Sequence, residues 1–193
     1  MLNRYPPQSG FSLLELLIAL AIFSVGLLSI AGLQTVSKRA NFEALQRTTA
    51  SQIAYGLLED MRVNGDAISV YLAAGELGGG SRGSEPTPNC QSGATCNATQ
   101  KAAYDLWFWE QAVDGNLETR SGNGTGGLVQ PTLCVTGVVG GGAGIYQVSV
   151  AWLGSVSMSS TNANPCGTAG GAYGTGNELR RIVELQTYID PAA

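Results

Sequence analysis

The sequence predicts an α+β fold in which a long N-terminal α-helix packs on a small antiparallel β-sheet. Two patterns predict the helix: a nearly uncharged apolar run at the N-terminus, and apolar residues that then repeat every three or four positions. A third pattern predicts the sheet, because apolar and polar residues alternate strictly around residues 145–152. No second apolar run of membrane-spanning length follows, so the rest of the chain fits one small domain.

The apolar run extends from Phe11 to Leu33 and contains one charged residue, Glu15. As a helix with a rise of ~1.5 Å per residue it is about 34 Å long, enough to cross a hydrocarbon core of ~30 Å. We therefore predict that residues 11–33 form a membrane-spanning half of the helix. An acid inside such a segment is costly and is by default a functional candidate. The partner it suggests is a free amine, which a cut between Gly10 and Phe11 would create.

The helix is predicted to continue over residues 34–64 as an amphipathic half. One apolar stripe at helical spacing supports this prediction: Phe42, Leu45, Ile53, Leu57 and Met61, with Ala54 and Leu58 beside them. Polar residues occupy the opposite face: Arg47, Gln52, Glu59 and Arg62. Asn64-Gly65-Asp66 supplies a stop, so the whole helix is expected to run from about Phe11 to Asn64.

Residues 65–193 are predicted to form the globular domain, with a second, shorter helix. Ala102, Leu106, Trp109 and Val113 share one face of this helix, and Asn97 is its expected cap with Gln100 as capping-box partner. Three consecutive aromatic residues, 107–109, are interpreted as core packing because a helix cannot point all three in one direction. Three acidic residues are interpreted as a solvated face of the same helix: Asp105, Glu110 and Asp114.

Three or four antiparallel strands are predicted in the second half of the chain. Tyr146, Val148, Val150 and Trp152 alternate onto one face of the clearest strand. A β-rich run over 129–139, interrupted by Pro131, is expected to pair with it through a hairpin at the glycines 140–144. A last strand is predicted from Leu179 onward, with Val183, Leu185 and Ile189 on one face broken by Arg181.

Composition argues against most chemistry. Histidine is absent, which removes the commonest general base and metal ligand. The formal net charge of −4 argues against dominant nucleic-acid binding. The glycines 140–144 lack the Gly-Lys-Ser/Thr of a phosphate loop. The wide cysteine spacing does not match a zinc ribbon. We therefore expect no enzyme activity, no cofactor and no metal.

Four cysteines indicate an oxidising compartment and allow three pairings. We expect a Cys90–Cys96 disulfide, because it closes a local loop, and this leaves Cys134–Cys166 as the second. The second bridge encloses roughly 30 residues and contributes about 3–4 kcal/mol in the chain-entropy treatment. The other two pairings would draw the Cys96 segment across to a strand.

Gly10-Phe11, with Glu15 four residues after Phe11, resembles the prepilin cleavage and methylation signal of type IV pilins and of type II secretion pseudopilins. The resemblance implies that residues 1–10 are a leader, that a membrane peptidase cuts after Gly10 and methylates Phe11, and that Glu15 is an assembly carboxylate. It also implies the pilin-like lollipop form of the α+β fold. A secretory signal peptide would instead place an apolar stretch before its cleavage site.

Within this superfamily the chain resembles the minor pilins of the PilV type. The resemblance is carried by these segments: the helix residues 26–34, a close cysteine pair followed by 103–107, Cys134, the strand 146–152, Cys166-Gly167, and then 180–183 and 187–189. It implies a part in type IV pilus assembly, in a priming or tip complex, with pilus-dependent adhesion and twitching motility. The implied partners are other minor pilins, the major pilin, the prepilin peptidase and the inner-membrane assembly platform.

Two alternatives remain open from the sequence: a minor pseudopilin of type II secretion, and a tip adhesin or DNA-capture pilin. Orientation also shows a conflict. Lys38, Arg39 and Arg47 follow the apolar run, whereas only Arg4 precedes it, and counting positive residues would place the domain in the cytoplasm. Large domains cross the membrane largely regardless of their charge. The four cysteines also favour an oxidising compartment. We therefore expect a single-pass inner-membrane protein with a periplasmic domain that later enters the pilus.

Overall fold

A computed structural model describes residues 10–92, 94–159 and 162–191, so the expected leader before Gly10 lies outside the described residues. The chain divides into two compact units, one up to Phe42 and one from Glu43 onward. Three α-helices and a 3₁₀ turn are present: α1 (Leu13–Val63), the turn Gly65–Ala67, α2 (Ile68–Leu72) and α3 (Ala98–Asp114). The strands are β1 (Glu76–Leu77), β2 (Thr119–Arg120), β3 (Asn123–Gly124), β4 (Thr132–Thr136), β5 (Gly144–Leu153) and β6 (Arg180–Ile189). The α+β class expected from the sequence is confirmed.

The C-terminal part of α1 buries a stripe in the second unit, and the stripe differs at its start from the one predicted. The buried residues are Gln46, Ala50, Ile53, Ala54, Leu57, Leu58 and Met61. Phe42 and Leu45, which were expected in the stripe, are 46% and 62% exposed. Gln46 is buried in their place because its amide nitrogen donates to the Gly127 carbonyl, N–O 3.3 Å, and its oxygen accepts the Val129 N–H, N–O 3.0 Å. The helix ends at Val63, one residue before the expected end.

The main sheet has the order β1-β4-β5-β6, and every pair is antiparallel. The face predicted from alternation in β5 is confirmed, since Tyr146, Val148, Val150 and Trp152 are all buried, in one core with the α1 stripe. The predicted hairpin between β4 and β5 is also confirmed. The β-rich run 129–139 contributes a strand only from Thr132, because the preceding Pro131 cannot donate to the ladder.

The predicted amphipathic helix is α3, and its boundaries follow from its caps. The Asn97 side chain accepts the Gln100 N–H while the Gln100 side chain accepts the Asn97 N–H, which completes the expected capping box. Gly115 ends the helix with φ 78°, and a Cβ there would lie 1.9 Å from the Gly126 carbonyl oxygen. This position therefore requires glycine.

The aromatic run in α3 joins the helix to α1. The Trp109 ring lies over Gly56 of α1, where an added Cβ would come within 2.1 Å of the ring. Its indole N–H donates to the Asp60 carboxylate, N–O 2.7 Å. Trp109 therefore packs against the core, as predicted, although all three aromatic residues 107–109 remain partly exposed.

Several short elements carry no recognisable sequence signal. The 3₁₀ turn, α2 and the strands β1, β2 and β3 each contain five residues or fewer. They are too short to show a period of 3.6 or 2. Their importance is tertiary, since Tyr71 of α2 and Leu77 of β1 are almost fully buried.

The prediction of a solvated acidic face on α3 is wrong for two of its three residues. Asp105 is 3% exposed and Glu110 is fully buried. Asp105 accepts the Tyr71 hydroxyl, O–O 2.6 Å, and forms an ion pair with Lys101. Burial raises the pKa of Asp105, and the bonds from Lys101 and Tyr71 oppose that rise. The carboxylate is buried because its hydrogen bonds replace those to water.

Glu110 holds the glycine-rich loop that follows β1. One of its oxygens accepts the Gly78 N–H, N–O 2.9 Å, and the Ser81 hydroxyl; the other accepts the Arg82 N–H, N–O 2.7 Å. Asp114, one turn later, accepts the two glycine N–H groups at 79 and 80. Successive backbone N–H groups therefore surround two carboxylates. Burial alone would raise the pKa of Glu110, but these hydrogen bonds outweigh it and hold the pKa below its ordinary value.

Two disulfides are present, Cys90–Cys96 and Cys134–Cys166, the pairing expected from the sequence. The second attaches the loop before β6 to β4, against the sheet face that lies opposite α1. Arg180 is 5% exposed there and donates to the carbonyls of Asn164 and Cys166, with N–O distances of 2.7 and 2.8 Å. This loop thus covers the second face of the sheet.

Glu110→Gln should destabilise the domain and weaken its acid sensitivity. The lowered pKa means that the Glu110 contribution is fully present above its ordinary pKa of 4.5 and is lost as the pH falls through the lower folded value. The amide replaces one of the two acceptor oxygens of the buried carboxylate, which together accept three hydrogen bonds, at a cost of about 1–3 kcal/mol at pH 7. Denaturant unfolding of the detergent-solubilised chain at pH 7 and pH 4 measures both effects.

The matched control is Glu184→Gln, because Glu184 is exposed on β6. It should leave stability within about 0.5 kcal/mol at either pH. Equal effects of the two variants would contradict the assigned role of Glu110.

Candidate functional site

The predicted processing residues lie just before α1. Gly10 and Phe11 are in non-helical backbone, and Phe11 is 85% exposed. The Ser12 hydroxyl accepts the Leu14 N–H, N–O 3.3 Å, and the Ser12 carbonyl accepts the Leu16 N–H, O–N 3.2 Å. Ser12 therefore caps the helix directly after the Gly10–Phe11 bond. The bond lies in an accessible segment, as a peptidase substrate requires.

Glu15 lies in the first turn of α1. It is exposed, and no other charged residue occurs between Gly10 and Lys38. Its negative charge is favourable close to a helix N-terminus, by roughly 0.3–1 kcal/mol at a water-exposed site. Glu15 follows Phe11 by four positions, and α1 begins between them at Leu13. A cut at Gly10–Phe11 would therefore generate an amine two residues before the helix and close in sequence to this carboxylate.

The surface of α1 around Glu15 is apolar and uncovered within the chain. Every residue from Gly10 to Phe42 is exposed, including the large apolar side chains of the run 11–33. By length and composition α1 can cross a membrane. The hydroxyls of Ser24, Ser29 and Thr35 each donate to the carbonyl four residues earlier, so they bring no unsatisfied polar group to that surface. The surface fits lipid or the apolar faces of other helices.

Two family models match the chain, and their ranges adjoin. The prokaryotic N-terminal methylation motif matches residues 6–31, which contain Gly10, Phe11 and Glu15. The model described as type IV pilin Tt1218 matches residues 32–107, from the end of the apolar run into α3. These matches support membership of the pilin superfamily. Neither a curated protein nor a solved structure gave a significant match.

At the level of the superfamily, these matches agree with the resemblance of Gly10-Phe11 and Glu15 to the prepilin signal. They do not reach the segment with β4, β5 and β6, where Cys134 and Cys166 occur. The PilV type is therefore not identified by them. The family of the matching pilin model is structural rather than catalytic.

The cysteines of this chain form disulfides. All four are in disulfides, so their thiolates are not available as metal ligands. Among the residues that the structure describes, no group of three or more His, Cys, Asp or Glu side chains is placed to hold a metal ion. The buried carboxylates of α3 are already saturated by hydrogen-bond donors from the chain itself.

Proposed function

We propose that this chain is a minor pilin of a type IV pilus, of the PilV type, which acts in the priming or tip complex. The observation that carries the proposal is the N-terminal methylation motif on a helix whose exposed apolar surface holds one carboxylate, Glu15. The match to a type IV pilin model over the following residues supports it. The order of the four cysteines, with a close pair before α3, one in β4 and one after β5, is the reason for preferring the PilV type.

Processing comes first in this proposal. A prepilin peptidase cuts after Gly10, removes residues 1–10 and methylates the new N-terminal Phe11. The chain then remains in the inner membrane through residues 11–33, with its disulfide-bonded domain of residues 65–193 in the periplasm and the helix half 34–64 joining them. It later enters the pilus through the assembly platform, beside other minor pilins and the major pilin.

Glu15 then needs a positive partner, because an ionised carboxylate is costly in lipid or in a bundle of apolar helices. The Phe11 amine, of this chain or of a neighbouring subunit, is the proposed partner. A pair with the amine of a neighbouring subunit would favour insertion of the helix at one axial position, because a shift of one helix along the other separates the two charges. Glu15 therefore acts in assembly rather than in cleavage.

A deletion strain tests the choice between pilus and secretion. Surface pili should be reduced and restored by the full chain, whereas secretion of type II substrates should be unchanged. Loss of secreted enzymes with normal piliation would show a pseudopilin and contradict the proposal. Normal piliation with lost attachment would instead show an adhesin.

Glu15→Ala should leave cleavage intact and lower incorporation into sheared pili by roughly tenfold or more, because losing one partner of a buried ion pair costs several kcal/mol. Glu15→Gln should behave like Glu15→Ala, since the charge rather than the shape is required. Quantitative immunoblotting of sheared pili against the membrane fraction measures the ratio.

The control is Gln34→Ala, which removes an exposed polar side chain elsewhere on α1 and should incorporate normally. Normal incorporation of Glu15→Gln would refute the ion pair. Failure of cleavage in either Glu15 variant would move the role of Glu15 to processing.

A further inference from the structure

A groove of about 560 Å³ lies between the part of α1 that belongs to the domain and the adjoining ends of β5 and β6. We call it the Trp152 groove. Its lining includes Glu43, Arg47, Trp152, Val156, Met158 and Arg181. None of these residues lies in the N-terminal methylation motif of residues 6–31, and none forms a disulfide.

One wall of the Trp152 groove is held by a polar clamp. The Glu43 carboxylate accepts the Ser155 N–H, O–N 2.5 Å, and the Ser155 hydroxyl, O–O 2.8 Å. It also pairs with Arg181, N–O 3.8 Å, whose guanidinium donates to the Val156 carbonyl, N–O 2.5 Å. The segment after β5 is thereby tied to α1, and both the Glu43 carboxylate and the Arg181 guanidinium are already partnered.

Two other groups of the groove have no partner among the described residues. Trp152 is 2% exposed, yet its indole N–H has no acceptor. A buried donor without an acceptor is unfavourable and rare in folded proteins. Arg47 is exposed on α1 and forms none of the four ion pairs of the described chain. Arg47 therefore gives the groove an accessible, uncompensated positive charge, whereas the Trp152 N–H lies buried beneath the groove surface.

The rim of the groove is apolar. Val156 and Met158 are 52% and 57% exposed, on the segment that the clamp holds. Methionine adapts its shape to different apolar partners. A small molecule inside the groove would leave much of this rim in water, whereas a protein surface would cover it.

We propose that the Trp152 groove docks a neighbouring pilin subunit through a segment that presents a carboxylate next to an apolar side chain. The carboxylate complements Arg47, and the apolar side chain covers Met158 and Val156. The charges of Glu43 and Arg181 cancel, so the groove keeps the single positive charge of Arg47. A partner segment with a negative charge therefore fits it best. This inference rests on the proposed function, since pilus assembly supplies the neighbouring subunit.

Photo-crosslinking of the full chain in producing cells tests the proposal. Met158→p-benzoylphenylalanine should give an adduct with a second pilin-superfamily subunit, and the crosslinked peptide of that subunit should contain Asp or Glu. Tyr188→p-benzoylphenylalanine is the position control, because Tyr188 is similarly exposed, at 59%, near the far end of β6. It should give no such adduct.

Two further variants separate docking from folding. In the Met158 crosslinking background, Arg47→Glu should abolish the adduct, whereas Arg62→Glu should not, because Arg62 lies outside the groove in an exposed pair with Glu59. A non-reducing mass measurement of the Cys134–Cys166 peptide confirms that each variant folds.

The outcomes are distinct. Equal adducts at both crosslinker positions, an adduct that survives Arg47→Glu, an adduct with lipid or another class of molecule, or no adduct at all would each overturn the proposal. The proposed function is scored separately in the same cells, from methylated Phe11 and from piliation. A chain that is processed and enters pili but gives no groove-specific adduct would refute docking alone.

Discussion

One helix must satisfy two solvents, and the rest of the structure depends on how its surface is divided. From Gly10 to Phe42 the segment is exposed on all sides, and its residues 11–33 are almost entirely apolar, whereas from Gln46 to Met61 it buries one stripe in the domain core. Burial of apolar area stabilises by roughly 25 cal/mol per Å². The domain covers only the stripe, so the apolar side chains of the N-terminal half can be buried only in lipid or against other helices. The surface of this half of α1 therefore fits a membrane or a bundle of helices.

The domain side of α1 is joined to the rest by polar groups as well as by apolar packing. Gln46 bonds the segment before β4, Asp60 accepts the indole of Trp109, and Glu43 clamps the segment after β5. Within the domain, Glu110 and Asp114 collect the backbone N–H groups of the loop after β1. A chain with 27 glycines has many mobile loops to order. Buried carboxylates and two disulfides restrict these loops where a small core cannot.

The sequence predicted the elements whose evidence is local. The apolar run, the capping box of α3 and the alternation in β5 each lie within one segment, and each is present. Gly10, Phe11 and Glu15 could be proposed as processing and assembly residues for the same reason, since their pattern occupies a few adjacent positions. The class of fold follows from these segments, because one long amphipathic helix and a few alternating strands have few ways to share a core.

Features that depend on distant partners were missed. Glu110 looks like a solvated acid in its own helix, and only the loop nearly thirty residues earlier explains its burial. Gln46 replaces Leu45 in the stripe because its acceptor and donor lie beyond residue 126. The Trp152 groove is lined by three segments that are far apart in sequence, so no single stretch of sequence predicts it.

The most direct test of this account is the N-terminal mass of the protein isolated from producing cells. The account predicts a chain that begins with N-methylated Phe11, present in both the inner membrane and sheared pili. A mature chain that still contains the Gly10–Phe11 bond, or one cut elsewhere, would contradict it, because Glu15 would then have no Phe11 amine to pair with.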